Sequence, residues 1–228
     1  MQYICLSEIG MEPIELEPRD IARTVFDRVM HYCATERGYT LECAKDHSPD
    51  QLSIFIDGYL TKEEAEELDK AIESSETFWD EVKKEYEELW KSWWSEKLAY
   101  SLGHLILKEI AERIAKDDRL DNASKVERLK AYAEVLHEFA DAIQQALQNR
   151  EPLSSAYLYK WFKRLAEFAP SHRSEYIKDV EYYLNFYEMS DVDDQLQTLS
   201  ILPSYIDMAL TRIEYYYLPE LEALTNES

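Results

Sequence analysis

Residues 125–147, KVERLKAYAEVLHEFADAIQQAL, decide the fold class. Val126, Leu129, Ala133, Leu136, Ala140, Ile143 and Leu147 recur at alternating steps of three and four. That spacing lines one face of an α-helix and builds a helix-packing seam. Small alanines within the row let a second helix approach closely, most simply the preceding one folded back antiparallel. The preceding stretch, Glu76 to Lys116, has no proline and carries Phe78, Val82, Tyr86, Leu89, Trp93, Leu98, Leu102, Leu105 and Ile110 as its apolar row. A bend is expected near Ser101 to Gly103, since glycine inside a helix costs about 1 kcal/mol relative to alanine. KDDRLDNAS, at 116–124, turns the chain between the two segments.

Working outward from the seam, TKEE at 61–64 reads as a capping box, with Thr61 and Glu64 each satisfying the other's backbone amide. Pro152, Pro170 and MSDVDDQ at 189–195 divide the carboxyl-terminal part into helices at about 154–169, 172–189 and 192–217. Ser190 is expected to cap the last of these, and Pro203 to kink or split it, because proline removes a donor and clashes with the preceding turn. The first sixty residues read differently. Gln2 to Ser7 is a short apolar run, EPRDIARTVFDRVMHYCATERG at 17–38 is helical up to Gly38, and YTLECAK (39–45) and QLSIFIDGYL (51–60) alternate like a hairpin around DHSPD. The expected fold is therefore mainly α: a helical bundle with a small N-terminal α+β (β-α-β-β) unit. The domains expected are 1–60 and a helical region 61–228, the latter with a long antiparallel helix pair at 76–149 followed by three helices at 154–217.

The charge balance narrows the function classes. Among 228 residues, 25 Lys and Arg face 47 Asp and Glu, a net charge of −22, which argues against direct nucleic-acid binding because phosphates select basic faces. Hydrophobic residues make up 46% of the chain, enough for a packed core, yet no apolar run reaches the length of a membrane span. MQYICLSEIG lacks the basic and apolar regions of a signal peptide. Cys5, Cys33 and Cys43 form no CxxC and leave one thiol over in any pairing. They read as buried thiols in a reducing compartment, and the expected location is cytoplasmic.

Motifs for catalysis are weak. Glu134 and His137 make a lone E-x-x-H, whereas di-iron bundles need two. His31, Cys33, Cys43 and His47 fall close in sequence, but positions 31 and 33 point apart on a helix, which argues against a zinc site. DVDD at 191–194 lacks the glycine and glutamate of a calcium loop and reads as a helix N-terminus. Four glycines leave little material for a phosphate loop. Trp90, Trp93 and Trp94 share one helix face and read as a core stripe. No metal, cofactor or catalytic residue is expected, and enzyme is the weaker class.

A binding surface is the stronger one. Residues 179–228 hold eleven acids against one base, Arg212, after a mildly basic segment, 151–178, with five bases and three acids. The same stretch holds Tyr182, Tyr183, Tyr187, Tyr205 and the triplet Tyr215, Tyr216 and Tyr217. Three consecutive residues on an α-helix sweep about 200°, so the triplet cannot all face one core. Exposed tyrosine offers large contact area, and beside carboxylates it suits a partner rich in Arg and Lys. The candidate partner-binding residues are Asp191, Asp193, Asp194, Asp207, Glu214, Tyr215, Tyr216, Glu220 and Glu222. The expected role is an acidic protein-binding protein that mimics nucleic acid and occupies the basic site of a DNA- or RNA-binding protein. The alternative is a non-catalytic scaffold that forms a homodimer or joins a larger complex.

Overall fold

The computed structural model describes residues 17–37 and 41–226. It is mainly helical, as the seam predicts. The elements are α1 (Pro18–Arg37), α2 (Leu41–Asp46), α3 (Leu52–Phe55), α4 (Lys62–Ser74), α5 (Phe78–Ala99), α6 (Lys108–Ala115), α7 (Asn122–Asn149), α8 (Ser155–Ala166), α9 (Arg173–Met189), α10 (Val192–Arg212) and α11 (Leu218–Asn226). Two π-helical segments, Tyr100–Leu107 and Ile213–Tyr217, join α5 to α6 and α10 to α11. The chain forms two compact units, Met1–Lys91 and Ser92–Ser228. No helix among the described residues is long and apolar enough to cross a membrane.

The first unit corrects the expected β-α-β-β arrangement. The run at Gln2 to Ser7 and the terminating Gly38 lie outside the described residues, and α1 ends at Arg37. The two stretches read as a hairpin are helical: 41–46 is α2, and 49–58 is α3 flanked by 3-10 turns. Ile54 shows why. A strand would bury positions 52, 54 and 56 on one side, yet Ile54 is 77% exposed, while Leu52, Phe55, Ile56 and Tyr59 turn inward at helical spacing. Short apolar runs fit both periods, and here packing against Tyr86 selects the helix: its ring meets those of Phe26 and Phe55, and its hydroxyl donates to the His47 carbonyl at 2.8 Å. The capping box forms as read, with the Thr61 amide 2.7 Å from Glu64 and the Glu64 amide 3.3 Å from the Thr61 hydroxyl. Glu64 also receives both guanidinium nitrogens of Arg28, at 2.6 and 2.9 Å, which ties α4 to α1.

A second correction concerns the cysteines. Cys33 and Cys43 are not free thiols but a disulfide, their Cα atoms 5.7 Å apart where α1 and α2 pack together. With the pair bonded, the argument from cysteine spacing for a reducing compartment falls away.

In the second unit α7 supplies the central stripe. Leu129, Ala133, Leu136 and Ile143 of the seam are buried, and so are Tyr132, Val135, Phe139 and Ala146, because α7 is covered by α6, α8, α10 and α11 and not by a single partner. Val126, Ala140 and Leu147 are half-buried at its edges. The irregularity expected near Ser101 to Gly103 is the first π segment. It carries Ile106 inward and leaves Leu105, expected in the apolar row, 41% exposed. Gly103 makes this crossing possible: a Cβ there would lie 2.4 Å from the Cβ of Tyr205 on α10. Trp94 is buried, as a core stripe requires, with its indole N–H donating to Ser190 at 2.9 Å, while Trp90 and Trp93 are half-buried. α10 passes unbroken through Pro203, with Leu199, Leu202 and Ile206 buried on either side. Burial of that row outweighs the one backbone hydrogen bond that proline deletes.

Candidate protein-interaction site

The second π segment answers how three adjacent tyrosines are accommodated. The Leu218 amide donates to the Ile213 carbonyl, an i to i+5 bond that widens the turn. Ile213 is the residue of this turn that faces the core, while Tyr215 and Tyr216 are 72% and 65% exposed and Tyr217 is half-buried. None of the triplet is a core residue.

Beside this turn the end of α10 and the start of α11 form a groove of about 590 Å³. Asp207, Met208, Thr211, Arg212, Tyr216, Tyr217 and Glu220 line it. Of the sequence-derived candidates it gathers Asp207, Tyr216 and Glu220, all exposed. Glu214 and Glu222 are exposed too, but each has a partner on α7: Glu214 lies 3.7 Å from His137, and Glu222 accepts from Lys130 at 2.8 Å. Arg212 is the only cation among the described residues lining the groove. Met208, 46% exposed, adds an apolar floor that charge counting does not reveal, although its spacing of three and four to Thr211 and Arg212 signals a shared helix face.

The aspartates at the start of α10 stand apart. From Asp193 to Glu214 the helix climbs about 30 Å, too far for one compact contact patch. Asp191, not Ser190, is the N-cap of α10, accepting from the Asp194 amide at 2.8 Å; Ser190 closes α9. Asp194 is buried, and its carbonyl accepts from Ser95 at 3.1 Å and Thr198 at 2.9 Å. Asp193 is exposed in the first turn, where a carboxylate favours the positive end of the helix dipole. Asp191 and Asp194 thus serve local structure, and the surface available to a partner centres on the groove.

No family model, curated protein or solved structure matches the chain. The argument for function therefore rests on its own residues.

Elsewhere in this unit a larger cavity, about 710 Å³, lies between the end of α6 and the turn joining α8 and α9. Six of its lining residues pair with one another: Arg113 with Glu109, Lys116 with Glu112 and Arg119 with Asp117. Glu134 and His137 are exposed on α7; His137 lies 3.7 Å from Glu214, and among the described residues these side chains form no group of three close enough to share an ion. Among the described residues the one group of His, Cys, Asp and Glu side chains close enough to share an ion is Cys33, Cys43 and His47. His31 is exposed and outside it, as the divergence of positions 31 and 33 predicts. The sequence names Cys33, Cys43 and His47 together with His31 and sets the group aside on the divergence of positions 31 and 33; the four-residue step from Cys43 to His47 is the signal that favours the trio.

Proposed function

We propose that the groove and the exposed tyrosines beside it bind a basic face of another protein, one that otherwise holds DNA or RNA, and thereby block that face. The observation that supports this reading is the placement of Tyr215 and Tyr216 in solvent next to the exposed carboxylates of Asp207, Glu214 and Glu220. Duplex DNA presents one charge per about 1.7 Å of axis. Asp207, Glu214 and Glu220 recur every six or seven residues, roughly 10 Å of helix, and so imitate a sparse part of such an array. The tyrosines add contact area at small entropic cost, and the field of a net charge of −22 steers a basic partner inward.

The test is capture on the immobilised full-length chain, with elution by rising salt and by duplex DNA. A nucleic-acid-binding protein released by both is the expected result. The charge-reversed variant Asp207→Lys, Glu214→Lys and Glu220→Lys should lose that protein while its thermal midpoint stays nearly unchanged, since exposed charges contribute under about 1 kcal/mol each. Asp194 is left out because it is buried. Tyr216→Ala should weaken capture without lowering the midpoint. If the reversed variant holds the same partner, or duplex DNA fails to displace it, the acidic face is only a solvated surface.

A further inference from the structure

His47 is held at both ring nitrogens: Nδ1 lies 2.8 Å from the Cys43 carbonyl oxygen and Nε2 lies 2.7 Å from the Tyr59 hydroxyl. A carbonyl only accepts, so Nδ1 carries the proton and Nε2 offers its lone pair to the Tyr59 O–H. This tautomer is the one a metal-binding histidine adopts, with a backbone carbonyl fixing the far side of the ring. The rings of Tyr32, Phe55 and Tyr59 stand edge-on around the imidazole at 5.9, 5.0 and 5.4 Å. Cys33 and Cys43 are buried, and their sulfurs and one His47 nitrogen all lie within 4.8 Å of one another. A tetrahedral ion with Zn–S of about 2.3 Å and Zn–N of about 2.0 Å sets its ligand atoms roughly 3.5–4 Å apart. The two sulfurs, now bonded, can reach that separation only once the disulfide is broken, while the imidazole nitrogen already lies within 4.8 Å of both.

We propose that this cluster is a zinc site once the disulfide is reduced, with Cys33 Sγ, Cys43 Sγ and His47 Nε2 as ligands and water in the fourth position. Two thiolates and an imidazole suit Zn²⁺, whereas Mg²⁺ and Ca²⁺ require oxygen ligands. Disulfide and metal are alternative closures of one site. A thiol or phosphine reductant supplies the electron pair that breaks the S–S bond, each sulfur takes up a proton, and the reductant is oxidised. Zn²⁺ then displaces both thiol protons without changing its own oxidation state. Tyr59 surrenders its hydrogen bond to Nε2 as the metal arrives. Oxidation of the thiolates by a disulfide reagent returns the present pairing and expels the ion.

The test uses the full chain, reduced with a phosphine under exclusion of air and titrated with Co²⁺ as the spectroscopic probe. The expected result is a sulfur-to-cobalt charge-transfer band with tetrahedral d–d absorption, saturating at one ion per chain, abolished by Zn²⁺ and absent from the oxidised chain. Cys33→Ser and Cys43→Ser should each lose the tetrahedral spectrum. His47→Ala should weaken Zn²⁺ binding by roughly tenfold or more, the scale seen when even a ligand's own support is disturbed. Tyr59→Phe and Cys5→Ser should keep the one-to-one stoichiometry. Should a cysteine variant fail to fold, the reduced natural chain decides the matter. Absence of saturation at one ion, equal binding by the oxidised chain, or loss of binding in Cys5→Ser overturns the assignment.

Discussion

Gly103→Ala is the most direct probe of how α10 crosses the first π segment. The added methyl would meet the Tyr205 Cβ at 2.4 Å and Leu202 Cδ1 at 3.0 Å. Leucine can rotate away, but a Cβ is fixed by its backbone, so relief requires the two helices to part. Ordinary carbon contacts begin near 3.5 Å, so the parting is on the order of 1 Å. Overpacking of this kind costs about 1–3 kcal/mol, and replacing a mid-helix glycine returns up to about 1 kcal/mol. With the obstruction at Cβ the upper part of the range applies, and the net loss should be about 2 kcal/mol. For a chain of this length that lowers the thermal midpoint by roughly 4–8 °C. Circular dichroism on heating measures it. A double-mutant cycle then separates backbone from ring: Tyr205→Ala keeps the offending Cβ and should not rescue Gly103→Ala, whereas Tyr205→Gly should. A midpoint that rises in Gly103→Ala, as helix propensity alone would give, refutes the close crossing.

Two other tests address the remaining packing and electrostatics. Arg28, and secondarily the Thr61 amide, hold the Glu64 carboxyl down from its ordinary 4.5 to about 2. A depressed folded value means the pair stabilises above pH 4.5 and that this stabilisation is lost as pH falls towards 2. With Arg28 41% and Glu64 29% exposed, solvent screening limits it to about 1 kcal/mol. Acid titration of Glu64→Gln should therefore show a shallower loss over that window, and curves parallel to the natural chain would contradict the pairing. Phe139 is fully buried between Trp161, stacked at 5.3 Å, and Phe162, edge-on at 5.5 Å, so Phe139→Ala should cost about 3–5 kcal/mol in urea unfolding followed by tryptophan emission. A cost under about 1 kcal/mol would show that this site collapses around the loss.

What could be read from the chain depended on the length over which a signal repeats. The α7 seam persists through seven positions, and Thr61 with Glu64 is a two-way chemical fit, so both survive any tertiary context. Residues 41–46 and 51–60 are too short to separate a period of two from one of 3.6, and a contact from Tyr86, far along the chain, decides between them. The acidic, tyrosine-rich end was legible by counting. Which of its carboxylates are available was not, because Asp194 is buried where its backbone carbonyl meets Ser95, 99 residues away. Likewise, Cys43 and His47 are neighbours by spacing, but only the fold of α2 against α1 brings Cys33 to them.

The first π segment also sets the phase of the helix that contains it. Leu98, Leu102, Ile106, Ile110 and Ile114 are all buried, and they follow one another at steps of four. On a regular α-helix four residues turn about 400°, so such a row slips some 40° at each step and would wind roughly 160° around the cylinder by its end. The i to i+5 turn holds more residues per revolution and takes back part of that slip. From Ser92 to Ala115 the rod thus behaves as a slightly unwound screw whose pitch is matched to its apolar row. The surplus residue that the unwinding must shed to the outside is Leu105.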